Sequence, residues 1–185
     1  MVTPALTRFN LNSLLLSCLS FLLALFLPLS AALLSSSQIV EQQYGPKRDP
    51  VEVFSQTAYA IKAVQFTSLF FYYLYLGPTM LSAMTLPRFV VAAALFGAGQ
   101  FLNAAVYKAI GVNGVYYGTR LGKTVPWYHG FPFNSVPHPQ YLGSALSFWG
   151  LALLLWNAPH HAPVLALAAL VSMYYVVSSY VEAKM

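Results

Sequence analysis

The sequence predicts an all-α integral membrane protein, and three observations carry that prediction. Only 7% of its 185 residues are charged and 58% are hydrophobic, whereas soluble domains carry about 25% charge. Apolar runs recur along the chain at lengths suited to helices that cross a hydrocarbon core of about 30 Å, given a rise of about 1.5 Å per residue. Segments rich in Gly, Pro and Asn separate those runs. The length suits one compact unit, so residues 1–185 are read as a single membrane domain. About five membrane helices are expected, at 13–34, 58–80, 88–109, 141–156 and 164–180, with a polar segment at 111–139.

The first run, LLLSCLSFLLALFLPLSAALL, carries no charge. It exceeds the usual h-region of about 7–15 residues, which favours a membrane helix over a cleaved signal peptide. Pro28 leaves open whether that helix spans or re-enters. Cys18 is the single cysteine, so neither an intramolecular disulfide nor a cysteine-cluster zinc site is available.

A polar link containing QQYGPKRDPVEV precedes the second run, whose FTSLFFYYLYLG is aromatic-rich. Lys62 near its start can extend toward the headgroups. Pro78 and Pro87 bracket a turn. The third run, VVAAALFGAGQFLNAAVYKA, is studded with small residues that permit close helix packing, and Gln100 and Asn103 require partners inside the bundle. The fourth and fifth runs are expected to form a hairpin with a tight turn at 159–163.

Charge placement orients this arrangement. With the amino terminus outside, Lys47, Arg48, Lys62, Lys108, Arg120, Lys123 and Lys184 fall on the cytosolic side, and Arg8 and Arg88 on the other. That asymmetry obeys the positive-inside rule. It also brings segment 111–139 and the carboxyl end to the cytosolic face. The basic residues form no stripe that could track phosphates, so no nucleic-acid partner is expected.

Segment 111–139 and its continuation read GVNGVYYGTRLGKTVPWYHGFPFNSVPHPQYLG. On a helix, Gly114, Gly118 and Gly122 would share one face, open either to a neighbouring helix or to a flat ligand. No strand precedes these glycines, so they are not a dinucleotide fingerprint. Arg120 and Lys123 can meet a lipid phosphate or simply mark the cytosolic boundary. Trp127 and Tyr128 suit an interfacial aromatic belt.

His138 lies between two prolines, with a ring able to exchange a proton near neutral pH or to serve structure alone. His160 and His161 sit in a predicted turn without a neighbouring carboxylate, and no metal site is expected. Glu182 closes the last apolar run. A carboxylate there is either a solvated helix end or a negative charge set against a cationic ligand.

These residues resemble the phospholipid N-methyltransferase family, most closely the single-domain form of plants and algae. The resemblance runs from RDP at 48–50 and Lys62-Ala63-Val64-Gln65 through GQFLNAAVYKAIG at 99–111. It continues in YYGTRLGK at 116–123, VPW, FPFN, HPQYLGS and the Tyr-Val-Glu-Ala-Lys ending. It implies S-adenosylmethionine as cofactor and methylation of phosphatidyl-N-methylethanolamine and its dimethyl product to phosphatidylcholine. Phosphatidylethanolamine is a further candidate acceptor.

The resemblance further implies a multi-pass protein of the endoplasmic reticulum membrane, with the carboxyl-terminal hairpin forming a cytosol-facing methyltransferase site. It assigns cofactor binding to Gly111, Gly114, Gly118 and Glu182. Val181 stands where the animal-type pattern has a first glutamate. Glu182, Tyr141 and His138 are the candidate catalytic residues. Arg120, Lys123, Tyr116 and Tyr117 are the candidate contacts to the phospholipid, the tyrosines through ring faces that attract a methylated ammonium.

Two other readings stay open. Prenylcysteine carboxyl methyltransferases share the last two helices, although a carboxylate acceptor needs no aromatic cage. A non-catalytic membrane scaffold explains the apolar helices but not the glycine-rich segment. Whether the protein forms a homo-oligomer is also open.

Overall fold

The computed structural model describes residues 48–76, 84–156 and 161–184. The expected helix at 13–34, Cys18, Pro78 and His160 lie outside the described residues. Among the described residues all regular structure is helical: α1 (Pro50–Leu76), α2 (Leu86–Val115), α3 (Pro139–Leu155) and α4 (His161–Lys184). The chain divides into two compact units. One comprises Met1–Tyr75 with Val112–Val125, the other Leu76–Gly111 with Pro126–Met185.

In the first unit, α1 starts eight residues before the expected 58 because its polar first turns are satisfied locally. Asp49 caps the helix: its carboxylate Oδ1 accepts the Val51 amide at 3.0 Å, and its carbonyl accepts the Val53 amide at 3.1 Å. Pro50 fills the first helical position, where no amide is needed. Beyond it, Ser55 Oγ donates to the Glu52 carbonyl and Gln56 Nε2 to Glu52 Oε1. Thr57 Oγ1 donates to the Val53 carbonyl. Val51, Val53, Phe54 and Ala58 are buried, together with Ser55. Phe66, Phe70, Phe71 and Leu74 further along are exposed.

The second unit is built on close backbone approach. A Cβ on Gly143 of α3 would stand 2.8 Å from the Gly99 carbonyl of α2, and one on Gly150 would stand 2.8 Å from the Ala92 carbonyl. Any larger residue at these points would push the helices apart. The partner expected for Gln100 is Ser147: Gln100 Nε2 donates to Ser147 Oγ at 2.9 Å, and that hydroxyl donates to the Gly143 carbonyl at 2.8 Å.

Helices α3 and α4 pack together, and residues 157–160 between them lie outside the described residues. Trp149 Nε1 donates to Ser172 Oγ at 3.0 Å across them. His161 begins α4 rather than lying in the turn, and the helix continues past the expected 180 to Lys184.

Helix α2 is long and apolar enough to cross a membrane: its 18-residue window has a hydropathy of 1.8, and 22% of that window is buried. The core helix of a soluble protein would be mostly buried. Among the described residues no other helix meets both length and hydropathy, and the apolar stretch Val164–Tyr180 is shorter.

Candidate functional site

Helix α2 does not end at 109. It breaks at Gly111, whose φ of 64° and ψ of −177° lie in a region essentially reserved for glycine. Nothing lies within 4 Å of where its Cβ would be. The requirement there is therefore conformational rather than spatial, and one side of the backbone is left bare. A last helical turn, 112–115, follows the break.

In the first unit, that turn leads into a compact knot formed by YYGTRLGK. The Gly118 amide donates to the Asn113 carbonyl at 2.6 Å, and the Lys123 amide donates to the Gly118 carbonyl at 2.7 Å. A Cβ on Gly118 would stand 2.5 Å from the Asn113 oxygen. Glycine is demanded at 118 by the turn itself. Gly122 adopts a φ of 79°. Because the helix ends at Val115, Gly118 and Gly122 lie in turn and share no helical face with Gly114.

Tyr117, a non-glycine residue, takes a φ of 56°, a left-handed conformation that costs about 1–2 kcal/mol. Aromatic packing accompanies it. Tyr117 lies 6.0 Å from Phe54, and Tyr116 meets Phe54 and Tyr59 edge-on at 5.8 and 5.7 Å. Tyr116 is buried, whereas Arg120 is exposed on the turn.

Lys123 has a protein partner that the sequence reading did not foresee. Its Nζ pairs with Asp49 Oδ2, the residue that caps α1. The Lys123 ammonium, helped by the Val51 and Glu52 amides, holds the Asp49 carboxyl below its ordinary range despite partial desolvation. The two side chains are 37% and 35% exposed, so water screens the pair to the worth of a surface contact, about 0–1 kcal/mol. The D-P-V-E run was the available signal for this cap, since Asp before Pro with Glu three residues after the Asp marks a helix start.

In the second unit, His138 precedes α3 in a left-handed conformation (φ 49°, ψ 56°), with Pro139 at the first helical position. Its carbonyl accepts the Tyr141 and Leu142 amides at 3.0 and 3.1 Å. The His138 ring stacks on Tyr141 at 6.1 Å and 24°, and Tyr141 lies 5.6 Å from Tyr175 of α4. Tyr175 was not among the candidates. Glu182 lies in the last turn of α4, and the position of its carboxylate is outside the described residues. Trp127 and Tyr128 are exposed.

The structure thus gathers the sequence candidates in two sets. Tyr116, Tyr117, Gly118 and Lys123 meet Phe54, Tyr59, Asn113 and Asp49 in the first unit. His138 and Tyr141 meet Tyr175 in the second. Among the described residues no three His, Cys, Asp or Glu side chains converge as a metal site would need.

The sequence pattern of phospholipid methyltransferases matches residues 87–185. A phosphatidyl-N-methylethanolamine N-methyltransferase of Arabidopsis thaliana is 38% identical over 112 residues, covering 60% of this chain and 62% of that protein. Proteins of the same name from Saccharomyces cerevisiae and Emericella nidulans are each 42% identical. They match over 64 and 65 residues, which are 34% and 35% of this chain and 31% and 32% of their own lengths. The chain therefore matches less than two thirds of each relative. No solved structure matches it.

Proposed function

The chain belongs to the phospholipid methyltransferase family, and from that premise we propose that it transfers methyl groups from S-adenosylmethionine to phosphatidyl-N-methylethanolamine and phosphatidyl-N,N-dimethylethanolamine, yielding phosphatidylcholine. Phosphatidylethanolamine is a further acceptor to be tested. The observation that carries this reading is the family match over 87–185, which takes in the Gly111 break, the YYGTRLGK turn, HPQYLG and Glu182. The names of the three relatives supply the acceptor class.

S-adenosylmethionine supplies an electrophilic methyl group on a sulfonium. The acceptor nitrogen, deprotonated, gives its lone pair to that carbon as the carbon–sulfur bond breaks, and the sulfur leaves with the bonding pair. Positioning is the main contribution available to the protein, because a near-linear approach of two bound reactants removes much of the entropic barrier.

Each candidate has a role suited to its chemistry. The Glu182 carboxylate balances positive charge on the sulfonium or the product ammonium. Gly111, with one backbone side bare, suits close approach by the cofactor. Gly114 and Gly118 carry the rest of the family's glycine element, although Gly118 is also required by its own turn. Tyr141 and Tyr117 offer ring faces to a methylated ammonium, at about 0.5–2 kcal/mol per contact, while Tyr116, buried against Phe54 and Tyr59, supports that cluster from within. His138 stacks on the ring of Tyr141 and is the candidate to accept the amine proton. Arg120, exposed on the turn, is assigned to the lipid phosphate, and Lys123 is the second candidate for it.

Membrane context completes the reading. We assign residues 1–185 to one multi-pass domain of the endoplasmic reticulum membrane, with the charge asymmetry turning the chemistry toward the cytosol. Incubating purified protein with labelled S-adenosylmethionine and a panel of acceptors tests the assignment. The panel is phosphatidylethanolamine, its monomethyl and dimethyl forms, and a prenylcysteine. Label is expected in the monomethyl and dimethyl lipids. Label confined to prenylcysteine replaces this reading with the carboxyl methyltransferase one, and label in none favours the scaffold.

A further inference from the structure

Helix α4 carries a continuous seam. Val164, Ala168 and Val171 are 5%, 2% and 3% exposed, and their spacing of four and three is that of a helix packed along one face. The same steps lead next to Tyr175, Ser178 and Glu182. Tyr175 is the residue at which this seam changes from aliphatic packing to polar and aromatic contact.

Two contacts hold Tyr175 against α3. Its ring lies 5.6 Å from Tyr141, tilted by 32°, and its hydroxyl shares a hydrogen bond with Ser144. Tyr141 and Ser144 are three residues apart and so neighbours on one face of α3. A third contact comes from its own helix, where Tyr174 meets it edge-on at 5.4 Å. Tyr175 therefore touches α3 through both its ring and its hydroxyl. Glu182 stands seven residues on, two turns or about 10 Å further along the same face.

We propose that Tyr175 is a positioning residue: it fixes the ring of Tyr141 and the rotation of α4 that sets the register of Glu182. The inference rests on the roles given above to Tyr141 and Glu182. His138 and Tyr175 both lie against the Tyr141 ring. Of these two, only Tyr175 is anchored within the helical hairpin, through Ser144. A ring fixed in this way presents its face to a cation without first losing rotamer freedom.

The test compares Tyr175→Leu, Tyr175→Phe, Ser144→Ala, the double variant Y175F/S144A and a control, Val164→Ala, at the far end of the same seam. Each is assayed for methyl transfer to phosphatidyl-N-methylethanolamine, with kcat and KM for S-adenosylmethionine measured separately and Tm recorded. Tyr175→Leu is expected to raise that KM about tenfold, while Val164→Ala lowers Tm and leaves KM within about twofold. Tyr175→Phe and Ser144→Ala each remove the same bond, so each is expected to raise KM about two- to fivefold, and the double variant no further.

Tyr175→Leu with the kinetics of Val164→Ala overturns the proposal. Should Tyr175→Leu fail to accumulate, the phenylalanine and alanine pair decides, and additive effects overturn it. A wild-type protein that methylates no phospholipid removes the underlying function instead, and this inference with it.

Discussion

Single residues separate two kinds of glycine requirement that look alike in the sequence. Gly111→Ala meets no neighbour, because its Cβ side is open. Its expected cost of about 1–3 kcal/mol comes from forcing a side chain onto a φ of 64°. Gly118→Ala collides with the Asn113 carbonyl and is expected to cost a similar 1–3 kcal/mol through overpacking, about the size seen for inserted methyl groups. Thermal unfolding measures both. The two diverge at Asn113: shifting its carbonyl by local substitution should rescue Gly118→Ala and leave Gly111→Ala unimproved. Rescue of both would refute the distinction. Glu182→Gln, which removes the charge and keeps the shape, is expected to weaken S-adenosylmethionine binding by about tenfold, roughly 1.4 kcal/mol. Unchanged binding and rate would remove its electrostatic role.

At the scale of elements, the amino end of α1 makes a prediction through pH. Lys123 and two backbone amides hold Asp49 below its ordinary value of 3.8. A carboxylate whose folded-state value is depressed stabilises the fold above the unfolded value of about 4 and loses that contribution as pH falls through the folded value. Tm should therefore carry an Asp49-dependent fall below about pH 4, and none between pH 7 and 5. Asp49→Asn retains a capping side chain and should flatten that acid limb. Asp49→Ala should also lose the cap, at about 0.5–2 kcal/mol. An acid limb unchanged in both variants would show that the pair does not stabilise the fold.

These same elements show what could be read from residue order. Apolar runs located the bodies of α1 to α4, because burial and hydropathy follow local composition. The ends were harder. Helix α1 begins with Glu52, Ser55, Gln56 and Thr57, residues that look like a linker until their bonds to backbone and to one another are seen. Helix α2 continues across Gly111 because a glycine can break a helix without ending it. The pairing of Lys123 with Asp49 and the tilted contact of Tyr141 with Tyr175 link residues distant in sequence, and no local pattern specifies them. Tyr175 lies on a four-three seam that only the burial of Val164, Ala168 and Val171 marks out, because the run at 164–180 is apolar on most sides.

The whole molecule is held by close helix approach in the second unit and by a capped, aromatic-lined turn in the first. The limited burial of α2 and the exposed Phe66, Phe70, Phe71 and Leu74 of α1 are surfaces that lipid can cover. The proposed orientation rests instead on the Lys and Arg asymmetry, and under it a tag appended after Met185 should be digested by protease added outside sealed endoplasmic reticulum microsomes. Protection of the tag would contradict the cytosolic orientation.

The central claim, methylation of a phospholipid amine, is tested most directly by mass spectrometry. Purified protein is given S-adenosylmethionine bearing a trideuterated methyl group, together with vesicles containing phosphatidyl-N-methylethanolamine. The account predicts phosphatidylcholine carrying two labelled methyl groups, with the singly labelled dimethyl lipid preceding it. Folded protein that leaves the lipid unlabelled would contradict it.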